Sequence, residues 1–75
     1  MEIPILLSKI TLREKEIIKF LAQGLSTKQI GQKLNISDAT VITHRNSLRK
    51  KLGCTNCPEL IYKASLYGLI KYPHK

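Results

Sequence analysis

The apolar positions of this chain group into four clusters with a helical period, and no segment alternates with the period of two that a half-buried strand requires. Thr11-Leu12-Arg13-Glu14 has the T-x-x-E form of a capping box, and the apolar residues at 17, 18, 20, 21 and 22 that follow it predict a helix over 12–23, which Gly24 stops. Ser26-Thr27-Lys28-Gln29 repeats the box. Ile30 and Leu34 form an i,i+4 pair around Gly31, so a short helix should cover 27–34, with the glycine leaving room for another helix to come close. Asn35 suits the left-handed position that ends such a helix, and Ser37 is a good N-cap for the next one. Ile36 and Val41 have the spacing of a hydrophobic staple, so a third helix is predicted over 37–52 after a connection of about three residues. Two helices joined so tightly read as a helix-turn-helix. Gly53 ends the third helix, and Asn56-Cys57-Pro58-Glu59 forms an N-x-x-E box with proline in the first turn of a fourth. Leu60, Ile61, Ala64 and Tyr67 recur on one face of it until Gly68. The expected fold is all-α, with four helices.

On a helical wheel of the third helix, Val41, Leu48 and Leu52 fall on one line, and Ala39, Thr43, Asn46 and Lys50 fall opposite, with Ile42 and Ser47 on the shoulders. One face packs and the other presents small polar groups. Arg45, Arg49, Lys50 and Lys51 add four cations after Asp38, which makes the end of this helix strongly basic and suits its dipole. An apolar stripe with hydrogen-bonding side chains opposite it and Arg or Lys alongside is what insertion into a DNA major groove requires.

Charge and length narrow the picture. Seventy-five residues hold one small domain in which nearly every apolar side chain must serve the same core. We divide the chain into an arm or linker remnant over 1–10, the helical domain over 11–70 and a short tail over 71–75. In the arm, Ile5, Leu6, Leu7 or Ile10 is available to cover the core. The net charge of +8 and pI near 9.8 indicate a polyanion or an acidic surface as partner. The opening Ile-Pro-Ile-Leu-Leu run lacks a basic flank and a small-residue cleavage site, so a cytoplasmic location is expected. No apolar run reaches the ~18 to 20 residues that span a bilayer, so no membrane partner is expected.

Cys54 and Cys57 form a C-x-x-C, but no second cysteine pair accompanies them, His44 and His74 lack finger spacing, and no βαβ pattern surrounds them. They read as two ordinary cysteines, and neither chelator nor reductant should alter folding or binding. No metal, cofactor or catalytic residue is expected. There is no nucleophile with a recognisable base, no carboxylate pair and no glycine-rich phosphate loop.

The chain resembles the LuxR-type (LuxR/FixJ) helix-turn-helix regulators from about Leu12 to Ile70. The resemblance is carried by Leu12-Arg13-Glu14-Lys15-Glu16-Ile17, Gly24-Leu25-Ser26-Thr27-Lys28-Gln29-Ile30, Leu34, Ile36-Ser37, Thr40-Val41, Thr43-His44-Arg45, Lys51-Leu52-Gly53, Glu59-Leu60 and Ala64. It implies a four-helix fold, sequence-specific binding to double-stranded DNA, transcription control and attachment to a sensory or phosphoacceptor domain, and no such domain lies within these 75 residues. It further implies a weak homodimer through the last helix, and makes RNA polymerase a candidate partner. With the outward face described above, it places Lys28, Thr40, Ile42, Thr43, His44, Arg45, Asn46 and Lys50 at the DNA. Lys28 matches a position used against phosphate, where the alternative is a solvated lysine. Asn46 can pair bidentately with adenine and Lys50 can reach guanine, the alternative again being a solvated helix back. His44 flanks the packed face, where a structural role is the ordinary one. Family members usually carry lysine where this chain has Ile42, which cannot neutralise a phosphate but could touch a thymine methyl. Pro58, Ile61, Tyr62 and Ser65, away from Leu60, Ala64 and Tyr67, are the dimerisation candidates. Glu14, a capping-box member, has the reach to meet a cation of the third helix. The competing function is a protein-interaction module that holds an acidic partner through helix four and the basic surface.

Overall fold

The computed structural model describes residues 9–70, and the expectations about Ile5, Leu6, Leu7, His74 and the 71–75 tail fall outside that span. Within it the helices are α1 (Leu12–Ala22), α2 (Thr27–Leu34), α3 (Asp38–Leu52) and α4 (Cys57–Leu66), and there is no strand among the described residues. Two of the three predicted boxes close: Thr11 and Glu14 exchange bonds of 2.9 and 3.0 Å, and Ser26 and Gln29 do so at 2.9 and 3.1 Å. At α4 only half of the expected box forms. Asn56 accepts from the Glu59 N–H at 2.8 Å, but the Glu59 carboxylate reaches one residue further back, to the Thr55 N–H and hydroxyl at 3.0 and 3.1 Å.

α3 packs against each of the other three helices, so its orientation is set by the whole domain. Its stripe of Val41, Leu48 and Leu52 is buried among Ile17, Ile18 and Leu21 of α1, Ile30 of α2, and Leu60 and Ala64 of α4. Ile10 and Ile70, near the two ends of the described span, are buried in the same core. The turn into α3 is fixed from both sides. Asn35 takes the left-handed conformation at φ 59°, while Ser37 accepts from the Thr40 N–H at 3.0 Å. Gly31 is required there by a close approach: a Cβ on it would lie 2.7 Å from the Ile36 carbonyl oxygen, so the neighbour that the glycine admits is the turn backbone at the start of α3. At the other end Gly53 is left-handed at φ 69°, and Lys63 of α4 donates to the carbonyls of Leu52 and Gly53 at 3.3 and 3.2 Å, the Leu52 oxygen also accepting from the Cys54 thiol.

Candidate nucleic-acid interface

α3 is held against α1 by a polar contact as well as an apolar one. Glu14 is only 3% exposed, yet its carboxylate stays paired: Lys51 Nζ lies 2.8 and 3.1 Å from its two oxygens, Ser47 donates to Oε2 at 2.9 Å, and the Thr11 N–H donates to Oε1. Burial alone would push the Glu14 carboxyl up, but the hydrogen bonds from Lys51, Thr11 and Ser47 outweigh it and hold the group below its ordinary range. The third Lys51 proton goes to the Lys9 carbonyl at 2.7 Å. The expected reach of Glu14 to a cation of α3 is therefore met by Lys51, and Ser47, placed on the shoulder of the outward face by the wheel, turns inward to the same carboxylate.

Of the four cations on the second half of α3, two are engaged within the domain. Lys51 holds Glu14, while Arg49 donates to the Thr55 carbonyl at 2.9 Å and to Asn46 Oδ1 at 2.8 Å. Arg45 and Lys50 have no ion-pair partner among the described residues, and neither does Lys28 on the second position of α2. Lys28 and Lys50 are exposed, and Arg45 is half-buried. Thr40 and Thr43 are also exposed: the Thr40 hydroxyl bonds that of Ser37 at 2.8 Å, and the Thr43 hydroxyl donates to the Ala39 carbonyl at 3.1 Å, leaving its methyl and lone pairs free to meet a partner. Ile42, His44 and Asn46 are half-buried. The outward side of α3 thus carries Ala39, Thr43, Asn46 and Lys50, with Thr40 exposed beside them, and Arg49, which the wheel did not place in this group, meets it through Asn46. Its position three residues after Asn46 is the signal that could have found it, since side chains at i and i+3 meet on a helix.

The α2 N-terminus adds backbone donors. The Ser26–Gln29 box occupies the N–H groups of both its members, but those of Thr27 and Lys28 in the first turn have no intrahelical acceptor.

On α4, Pro58 is exposed and Tyr62 is 63% exposed, whereas Ile61 and Ser65 are half-buried and Ile61 packs against the core. Leu66, 61% exposed, extends the apolar surface of Pro58 and Tyr62 along the helix and was not among the candidates. The same i,i+4 spacing that links 58 to 62 links 62 to 66 and would have shown it. Cys54 and Cys57 are both free and half-buried against the core, and burial pushes the Cys54 thiol up, which keeps the reactive thiolate scarce near neutral pH. No helix among the described residues is long and apolar enough to cross a membrane.

Known proteins share the sequence pattern and the fold. The family described as bacterial regulatory proteins, luxR family, matches residues 8–64. The chain is 41% identical over 61 residues to the transcriptional regulatory protein MctR of Rhizobium johnstonii, covering 81% of this chain and 28% of that protein. It is 45% identical over 58 residues to the fimbriae Z protein of Escherichia coli K12, covering 77% of this chain and 28% of that one. Among solved structures, the response regulator ChrA of a heme-sensing two-component system superposes with a TM-score of 0.79 at 44% identity, over 81% of this chain and 30% of that one. The chain therefore spans little more than a quarter of the length of these curated relatives.

Proposed function

The chain belongs to the luxR family of bacterial regulatory proteins, and from that premise we propose that it is the part of a transcriptional regulator that binds double-stranded DNA, with α3 lying in the major groove. The observation that carries the reading is the outward side of α3, where hydrogen-bonding side chains stand clear of the core beside cations that have no partner among the described residues. Thr43 and Asn46 address base edges, Ile42 meets thymine methyl groups, and Lys50 reaches a base or a phosphate. Lys28 and Arg45 hold phosphates, with the Thr27 and Lys28 N–H groups at the α2 N-terminus adding donors. Thr40 and His44 lie beside this surface and contact the sugar-phosphate backbone. Two copies pair on DNA through α4, with Pro58, Tyr62 and Leu66 at the centre of the contact and Ile61 and Ser65 at its edge. A regulator that meets DNA in this way acts in the cytoplasm.

Titration with long duplex DNA tests the reading. We expect saturable binding whose affinity falls steeply with salt, because each neutralised phosphate releases condensed counterions. Absence of binding at low salt would instead favour an acidic protein as the partner of the basic surface.

A further inference from the structure

Asn46 is not free to choose which of its amide atoms faces a base. Arg49 Nη2 lies 2.8 Å from Asn46 Oδ1, and a guanidinium only donates, so the amide atom turned toward Arg49 has to be the oxygen. Arg49 is itself fixed at the other end of its fork, where Nη1 donates to the Thr55 carbonyl in the α3–α4 connection at 2.9 Å, and its Nε is buried without a partner. That connection is held in turn by Glu59, which accepts from the Thr55 N–H and hydroxyl. A chain of contacts running from α4 through the loop thus ends on one side chain of the outward face.

We infer that Arg49 is a positioning residue that turns the Asn46 amide so that its N–H groups are presented to the groove, and that the base it selects is guanine in preference to adenine. The inference rests on the assignment of Asn46 to base reading. The reason is the pattern of groups on the purine edges: guanine offers two acceptors, N7 and O6, to the major groove, while adenine offers N7 and the N6 amino donor. The usual asparagine–adenine pair needs Oδ1 to accept from N6, but here one of that oxygen's two lone pairs is taken by a cation, which turns the oxygen toward Arg49. An incoming amino group would meet like partial charge beside Arg49. The Nδ2 protons have no partner among the described residues and suit N7 and O6.

Selection of bound sites from randomised duplex DNA tests this with the wild-type 75-residue chain and three variants. The wild type is expected to prefer guanine over adenine roughly tenfold at one position of each half-site. Asn46→Ala should abolish the preference at that position. Asn46→Asp keeps the contact with Arg49 but offers only oxygens, so it should exchange guanine for adenine or cytosine. Arg49→Met keeps the aliphatic stem without a donor, frees the amide to rotate, and should bring the guanine-to-adenine ratio close to one. Adenine in the wild-type sites at the position that Asn46→Ala relaxes would overturn the inference while leaving base reading intact. So would an undiminished guanine preference in a folded Arg49→Met protein. Should loss of the Thr55 contact unfold Arg49→Met, Asn46→Asp decides alone, with retention of guanine overturning the inference. If Asn46→Ala keeps every preference of the wild type, base reading by Asn46 itself fails, and the inference with it.

Discussion

Arg49 and Lys51 show why counting cations along α3 overstates what the helix can offer a polyanion. Lys51 is neutralised by Glu14, and Arg49 keeps its charge but is held in place by the neutral Thr55 carbonyl and Asn46 amide, so among the described residues Lys28, Arg45 and Lys50 are the cations on α2 and α3 argued here to have side chains free to reach a phosphate. If Lys28 and Arg45 hold phosphates, replacing either by alanine should weaken binding to preferred and random duplexes alike and lower the slope of log affinity against log salt by about one. Lys51→Ala should act differently, by loosening the attachment of α3 to α1. Ile42→Lys, which puts a cation where the family resemblance implies one, should raise affinity for any duplex and steepen the salt slope. Salt titrations of the variants, with circular dichroism to confirm folding, read all of these effects.

At the scale of elements, helix positions were legible because each start carries its own side-chain signal. Thr11, Ser26, Ser37 and Asn56 all accept from the N–H three residues on. The buried stripe of α3 was legible for the same reason, a period that only one helical phase satisfies. Contacts between distant side chains were less legible. Nothing local to Ser47 says that it turns toward Glu14, thirty-three residues away, or to Thr55 that its carbonyl accepts from Arg49 while its N–H and hydroxyl donate to Glu59. Two predictions belong here. Leu48→Ala removes a fully buried side chain from the centre of α3 and should cost about 2 to 5 kcal/mol, enough to unfold much of so small a domain, as a thermal melt would report. The Glu14 carboxylate is favoured by folding, so its contribution is fully present above the unfolded value near 4.5 and is lost as pH falls through the lower folded value. Urea unfolding should therefore show stability declining as pH is lowered below about 5, and declining less in Glu14→Gln, which has already lost the ion pair with Lys51.

For the molecule as a whole, the four-helix arrangement presents two surfaces on different elements, a polar and basic one on α2 and α3 and an apolar one on α4. The second is small, centred on Tyr62 and Leu66, so pairing through it should be weak in solution and complete only on DNA, with half-sites about one helical turn (~10 bp) apart. Sedimentation on a full site should find two chains at saturation, and Tyr62→Asp should lower that to one without unfolding the domain. The claim on which all of this depends is that the outward side of α3 reads sequence. It is tested most directly by the specificity ratio, the affinity for a selected site divided by that for random duplex at one salt concentration, measured for the wild type and Asn46→Ala. The account predicts that the variant binds random DNA as the wild type does while losing roughly 1 to 3 kcal/mol on the selected site, so that the ratio falls. An Asn46→Ala protein that is folded and keeps the full wild-type ratio would contradict it.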